Sequence, residues 1–297
     1  MRIITDPNEH SIDDKLCAAL GYFDGFHIGH MRILEETKKS GLKSAVVTFS
    51  NRPSDYIQNK KASCRIMSIA DKISFLEQFG IDYLFLYEFD SRMMNTSAED
   101  FVRDFLLSNN VKRAVAGYNY TFGKFAEGNT DMLGKLCAVS GIEVKIVPEV
   151  LLEGRAVSSS LIRANIAEGN VELVGELLGR AYSLSGRFSP GEISKGCADG
   201  QREYELEVSS ELILPKAGVY YAQTEIKGKY YPCAVCIRED RAAGANRPSI
   251  KIHISEIKED CKELIIEFVS KISQGAKRGE AEDGAQYLPN FAPSRGN

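Results

Sequence analysis

Residues 16–30 read Leu16-Cys-Ala-Ala-Leu20-Gly21-Tyr-Phe-Asp-Gly25-Phe-His-Ile-Gly-His30. Five apolar residues lead into a turn with glycines at 21, 25 and 29. The next segment, His30–Lys39, carries Ile33 and Leu34 and stops at Gly41. This is the grammar of a short buried strand, a tight turn and a helix. The pattern repeats outward along the chain. Ser44-Ala-Val-Val-Thr-Phe49 reads as a buried strand, and Ala70–Phe79 has apolar residues at 73, 75, 76 and 79, close to helical spacing. Tyr83–Tyr87 reads as a strand. Ser97-Ala-Glu-Asp100 resembles a capping box ahead of a helix with Phe101, Val102, Phe105 and Leu106 on its apolar face. Arg113–Gly117, Thr130–Val139 and Ile142–Val147 follow as strand, helix and strand. Strands alternating with helices predict an α/β domain with a parallel sheet covered on both faces.

After Leu178-Gly-Arg180 the grammar changes. Ala181–Phe188, Glu203–Val208, Gly218–Ile226, Tyr230–Arg238, Ile250–Ile254 and Leu264–Val269 read as strands separated by turn signals such as Lys227-Gly228-Lys229. A small, mostly β barrel or sandwich is expected there. The final stretch, 274–297, is rich in Gly, Pro, Ala and charge without a period, and is expected to be a disordered tail. The predicted organisation is therefore 1–180, 181–273 and 274–297.

Composition narrows the function classes. The 297 residues include 37 basic and 41 acidic side chains, a formal charge of −4, which disfavours a protein that works by gripping nucleic-acid backbone. No apolar run is long enough for a transmembrane helix, and the N-terminal Met1–Lys15 stretch carries acids and a proline where a secretory signal needs apolar residues. A cytoplasmic protein without membrane or nucleic-acid partners is expected. Seven cysteines, at 17, 64, 137, 197, 233, 236 and 261, read as reduced thiols. Nothing in the sequence sets an oligomeric state.

The turn at 21–30 carries the chemistry. It sits where ligands bind in open α/β sheets, at the carboxyl edge of a parallel strand. The helix N-terminus offers free N–H groups to phosphate, and His27 and His30, three apart, can donate further hydrogen bonds. No Gly-Lys-Ser/Thr follows, so it is not a Walker A loop, and the glycine spacing is not that of a dinucleotide fingerprint. In Val157-Ser-Ser-Ser-Leu-Ile-Arg163, serines 158–160 can cap a helix from about Ser160 to Ala167, with Arg163 one turn in. Ala116-Gly-Tyr-Asn-Tyr-Thr-Phe-Gly123 supplies Asn119 and the aromatic residues Tyr118, Tyr120 and Phe122; core packing stays open for at least one of the three. Cys233-Ala-Val-Cys236 has metal-ligand spacing but no second pair, and its members point to opposite faces of a strand, so buried thiols are expected. Lys38-Lys39 and Lys60-Lys61 read as solvated faces. His10 has no inferred role, and His253 reads as a packed barrel residue.

The His-x-Gly-His spacing is that of the nucleotidyltransferase superfamily, and GYFDGFHIGH closely resembles the bacterial FAD synthetases. The resemblance implies a Rossmann-like nucleotidyltransferase domain followed by a flavokinase-like barrel. It implies an enzyme that transfers AMP from ATP to FMN, giving FAD and pyrophosphate, with Mg²⁺ bridging the ATP phosphates and no metal site on the protein. It casts His27, His30 and Arg163 as catalytic. It casts Gly21, Phe23, Asp24, Gly25, Gly29, Thr48, Asn119, Phe122, Ser158, Ser159 and Ser160 as binding substrate or nucleotide. The 157–163 segment is similar to the family's Ser-Ser-Thr-x-x-Arg, with Ser160 in place of threonine. The 116–123 segment is similar to Gly-x-Asn/Asp-Phe-x-Phe-Gly, with Asn119 contacting ligand. Thr48-Phe-Ser-Asn-Arg-Pro53 departs from Thr-Phe-x-Pro-His-Pro at Asn51 and Arg52.

Residues 177–186, 214–220 and 250–254 resemble parts of the riboflavin kinase module. Its Gly-Phe-Pro-Thr-Ala-Asn motif is missing before Leu212, and Lys251 stands where a glutamate base is expected. A lysine near pH 7 is not the proton acceptor a carboxylate is, so the kinase step is expected to be lost. Two other readings remain: a non-catalytic flavin- or nucleotide-binding protein derived from the family, and a nucleotidyltransferase acting on another phosphorylated acceptor.

Overall fold

A computed structural model describes residues 1–9, 12–59, 64–190, 201–239, 248–255 and 263–272. His10, Lys60-Lys61, Cys197, Gly200, Cys261 and the expected tail at 274–297 lie outside the described residues. The chain divides into two compact units, residues 1–65 with 69–159, and residues 66–68 with 160 onward.

The first unit is built on six strands: β1 (Arg2–Ile4), β2 (Leu16–Leu20), β3 (Lys43–Phe49), β4 (Tyr83–Tyr87), β5 (Val111–Gly117) and β6 (Glu143–Val147). They pair in the order β1-β4-β3-β2-β5-β6, and every pairing is parallel. Parallel sheets are covered on both faces, which explains why all five residues of β2 are buried and why its sequence is a plain apolar run. From β2 the chain steps outward through β3 to β4, then crosses back to β5 and β6. The direction reverses between β2 and β5, and the crevice beyond their carboxyl ends is the position at which open α/β sheets bind ligands.

The helices are α1 (Ile28–Lys38), α2 (Pro53–Ile57), α3 (Ile69–Phe79), α4 (Ser91–Asn95), α5 (Ala98–Phe101) and α6 (Thr130–Val139). Helix α1 turns Ile33 and Leu34 into the core and packs on β2, β3 and β5. Spacing predicts a start at His30, but the helix begins two residues earlier because His27 is itself the N-cap. Ser97 caps α5 by accepting from the Asp100 N–H at 3.0 Å. The segment beyond it continues as a π-helix over Val102–Leu107, which still buries Val102, Phe105 and Leu106. The core joins Leu16, Ala18, Leu20, Val47, Phe85 and Ala116 of the sheet to Phe101, Phe105 and Leu133 of the helices. A short hairpin, β7 (Leu151–Leu152) and β8 (Arg155–Ala156), follows the sheet.

Helix α7 (Ser159–Glu168) begins at the boundary of the units, and α8 (Val171–Leu178) follows it. Both group with the second unit, whereas a division at 180 groups them with the sheet. The six predicted strands are all present, as β9 (Tyr182–Pro190), β10 (Gln201–Val208), β11 (Gly218–Ile226), β12 (Lys229–Arg238), β13 (Ser249–Ser255) and β14 (Glu263–Lys271). They close into an antiparallel barrel in the order β10-β13-β12-β11-β14-β9, which leaves no unpaired edge. Along β11 the buried residues Tyr220, Ala222, Thr224 and Ile226 alternate with more exposed ones, as a barrel wall requires. Helix α8 packs on β14 and β9.

Candidate active site

The turn after β2 folds inward on itself. Phe23 and Phe26 hold φ of 53° and 44°, and Gly25 lies between them at 85°. Positive φ is unfavourable for phenylalanine, so burial must compensate. Both rings are buried and stacked on each other with centroids 5.9 Å apart, and Phe26 stacks on Phe75 of α3 at 4.6 Å. Phe23, read from sequence as a ligand contact, is 1% exposed and forms the floor of the turn.

Three side chains from elsewhere hold the turn's backbone. Thr48 Oγ1 donates to the Tyr22 carbonyl at 2.8 Å, and Lys72 Nζ donates to the same oxygen at 2.7 Å. Ser159 Oγ donates to the Asp24 carbonyl at 2.9 Å. Thr48 and Asp24 are themselves buried. The residues assigned to substrate from sequence thus include several that set the shape of the turn.

The turn ends in the two histidines. His27 Nδ1 accepts the His30 N–H at 3.3 Å, and the two rings stack with centroids 3.6 Å apart. Gly29 suits this arrangement, because a Cβ there would sit 3.1 Å from the His27 ring, close enough that the ring would have to give by a few tenths of an ångström. Burial pulls the His27 pKa down to about 4. His30 is lowered well below its ordinary value, by burial first and then by the charges of His27 and Lys72. Both rings are therefore neutral near pH 7. A neutral ring accepting at Nδ1 carries its proton on Nε2, so His27 presents an N–H donor. The His30 N–H is taken by the cap, while the N–H groups of Ile28 and Gly29 have no partner among the described residues. Two orphan amides, a helix N-terminus and an imidazole N–H make a site for an anionic oxygen.

The loop after β5, on the other side of the crevice, exposes Tyr118 and Asn119. Phe122 is buried in the core, stacked on Tyr120 at 5.7 Å and packed against Phe101 at 5.3 Å; Tyr120 is partly buried and packs against the same core. Asn51 makes a double bridge, its Nδ2 donating to the Phe89 carbonyl at 2.9 Å and its Oδ1 accepting the Phe89 N–H at 2.7 Å. Arg52 precedes α2 and pairs with Asp55 at 3.7 Å. In the second unit, Arg163 Nη2 donates to Ser160 Oγ at 3.3 Å across the first turn of α7, and Ser158 precedes that helix.

Lys72 and Arg65 are the residues that sequence reasoning missed: both are buried, at 2% and 4% exposure. Among the described residues no group of His, Cys, Asp and Glu is arranged to hold a metal ion. Cys233 and Cys236 are buried on β12, and burial raises the Cys233 thiol to about 12.

Comparison with known proteins gives consistent matches. The model of the FAD synthetase family matches residues 9–161, and that of the riboflavin kinase family matches 178–282. A bifunctional riboflavin kinase/FMN adenylyltransferase of Bacillus subtilis is 32% identical over 237 residues, covering 77% of this chain and 74% of the relative. One of the same description from Listeria monocytogenes is 31% identical over 216 residues, covering 71% and 68%. A solved structure from Streptococcus pneumoniae, described as a macrolide-efflux protein, matches with a TM-score of 0.81 and 25% identity over 95% of this chain and 94% of its own. No described helix of the present chain is long and apolar enough to cross a membrane.

Proposed function

The chain belongs to the FAD synthetase family and is a nucleotidyltransferase, and on that premise we propose that it adenylylates FMN with ATP and has lost the riboflavin kinase step. The observation that supports the first part is the N-terminus of α1 after β2, where His27 Nδ1 caps the His30 N–H and the Ile28 and Gly29 amides are left without partners among the described residues.

An oxygen of the FMN phosphate attacks the α-phosphorus of ATP, the new P–O bond forms, the bond between the α-phosphorus and the bridging oxygen breaks, and pyrophosphate leaves with the electron pair. The protein contributes no nucleophile. Its task is to position two polyanions and stabilise the charge that develops on the transferring group. His27 donates to the phosphate oxygens through Nε2, and His30 fixes the ring of His27. Ser158, Ser160 and Arg163 bind the triphosphate. Ser159 and Thr48 act through the turn backbone they hold, as do Gly21, Gly25 and Gly29, while Asp24 supplies a carbonyl to Ser159. Asn119 contacts ligand, and Phe23 and Phe122 support the walls from beneath. Mg²⁺ enters with ATP as part of the substrate, held by the phosphates. We assign the work to a nucleotidyltransferase domain at 1–180, followed by a barrel at 181–273, in the cytoplasm.

Loss of the kinase step is supported by Lys251. By resemblance to the riboflavin kinase module it stands where a glutamate base is expected; it lies on β13, and its Nζ is 2.6 Å from Glu203 Oε1 on the neighbouring strand β10. An ammonium held by a carboxylate is a poor acceptor for a hydroxyl proton.

One experiment tests both parts. The chain is incubated with ATP and Mg²⁺ plus either FMN or riboflavin, and the products are separated by chromatography. FAD from FMN, with no FMN from riboflavin, is the expected result. FMN made from riboflavin would overturn the kinase assignment, and flavin bound without turnover would overturn the transferase assignment.

A further inference from the structure

The turn after β2 rests on a buried cation. Lys72 lies in the first turn of α3 and is 2% exposed. Its Nζ donates to the Tyr22 carbonyl at 2.7 Å, approaches Thr48 Oγ1 at 3.4 Å, and stands 4.5 Å from the centre of the Tyr22 ring. Among the described residues no carboxylate lies at ion-pair distance from it. A buried ammonium without a paired carboxylate is costly.

Resting on the adenylyl-transfer reading above, we propose that Lys72 is a positioning residue of this site: it pins the Tyr22 carbonyl, and with it the turn that carries His27 and His30, and it becomes fully charged when the nucleotide phosphates enter. The groups that face it support this. Tyr22, Asp24 and His30 all belong to the turn or to the helix it launches, Thr48 is the penultimate residue of β3, and Arg65 is a second buried cation. Desolvation lowers the Lys72 pKa to about 7, against the pull of Asp24 and with the push of Arg65. A phosphate close by favours the charged form and must raise it.

At pH 8 a lysine titrating near 7 is roughly 90% neutral, so nucleotide binding takes up close to one proton. MgATP has no proton to release at that pH, and the histidines, His27 pulled down to about 4 and His30 lowered well below its ordinary value by burial, stay neutral. A residue that served packing alone would leave the proton balance unchanged.

The test is calorimetric binding of MgATP to the full chain at pH 8 in buffers of different ionisation enthalpy, with the pH profile of kcat/KM for FAD formation from FMN. The wild type is expected to take up a proton and to lose kcat/KM as pH rises above 7. In Lys72→Met the uptake is absent and kcat/KM drops about 10- to 100-fold, the range of one hydrogen bond from a charged donor. Lys72→Arg keeps its charge at every pH, so it restores most of the activity and flattens the alkaline limb. If Lys72→Met fails to fold, wild type against Lys72→Arg makes the same comparison. Equal proton uptake and equal pH profiles across the variants would overturn the inference. Proton uptake with MgATP alone needs no turnover, so a chain that makes no FAD yet shows the Lys72-dependent uptake refutes the reaction assignment and leaves the inference standing.

Discussion

Replacing His27 with asparagine separates catalysis from folding. His27 has extended backbone at the N-cap of α1, and its Nδ1 accepts the N–H of His30, the third residue of the helix. Asparagine is among the best residues for that task, because its Oδ1 accepts the same N–H. What it cannot supply is the donor at Nε2, since its side chain ends short of the ring's far nitrogen. Loss of one pre-positioned donor to a charge-bearing oxygen typically removes 100- to 1,000-fold in kcat, about 3–4 kcal/mol of barrier. His27→Asn is therefore expected to lose about that factor in FAD formation while the KM for FMN stays within roughly threefold. His27→Ala removes the cap as well, which costs about 1 kcal/mol and lowers the melting temperature by about 2–4 °C in a unit of this size. The assay is initial-rate FAD formation from FMN and MgATP, alongside thermal melts of wild type and both variants. A folded His27→Asn that keeps more than a tenth of wild-type kcat would refute the donor role, and an asparagine variant less stable than the alanine one would refute the capping geometry.

Two further outcomes follow from the same structure. The folded-state pKa of His27 is about 4 against an ordinary 6.5, so the unfolded chain binds more protons between those values. Stability is full above pH 6.5 and falls as pH drops through the window, by about 3 kcal/mol from His27 alone at pH 4; urea midpoints should show a shallower acid loss in His27→Asn, and equal losses would contradict the shift. Asn51→Ala strips the Phe89 N–H and carbonyl of their partners, at a cost of about 1–3 kcal/mol. Thermal melting measures it, and an unchanged midpoint would mean that this bridge carries no load.

Where local pattern and burial agree, the sequence was legible. The bounds of β2, β4, β11 and α6 match those read from apolar runs and turn residues. The elements that escaped have physical reasons. β1 is three residues that become a strand only by pairing with β4, a long-range contact with no local signature. Helix α8 did carry a signal, since Val171, Val174, Leu177 and Leu178 fall at helical spacing and are all buried, but residues 177–186 read more strongly as a link. In the site, Lys72 escaped because a lysine next to an apolar stripe reads as solvated. The burial of Phe23 was not legible either: its φ is positive and its ring is 1% exposed, and a one-dimensional pattern does not encode φ. Asn51 reads from sequence only as a departure from the family pattern, yet it forms a two-bond bridge to Phe89, 38 residues away in the segment after β4.

The stacked histidines bear on what kind of catalyst this is. Two imidazolium rings 3.6 Å apart would repel by about 4–5 kcal/mol at an effective dielectric constant of 20, so the geometry tolerates at most one charge. Burial then removes even that one near pH 7. The pair is thus suited to donate hydrogen bonds and unsuited to shuttle protons. Adenylyl transfer to FMN is compatible with this. A phosphate monoester has a second pKa of about 6, so its oxygens are already nucleophilic at neutral pH and need no general base. Pyrophosphate leaves as an anion and needs no general acid. The proposed reaction demands fixed dipoles aimed at phosphate oxygens, a task to which neutral rings and orphan amides are suited in a chain whose formal charge is −4. A bulk basic surface would add steering but would not place a donor at the reacting phosphorus.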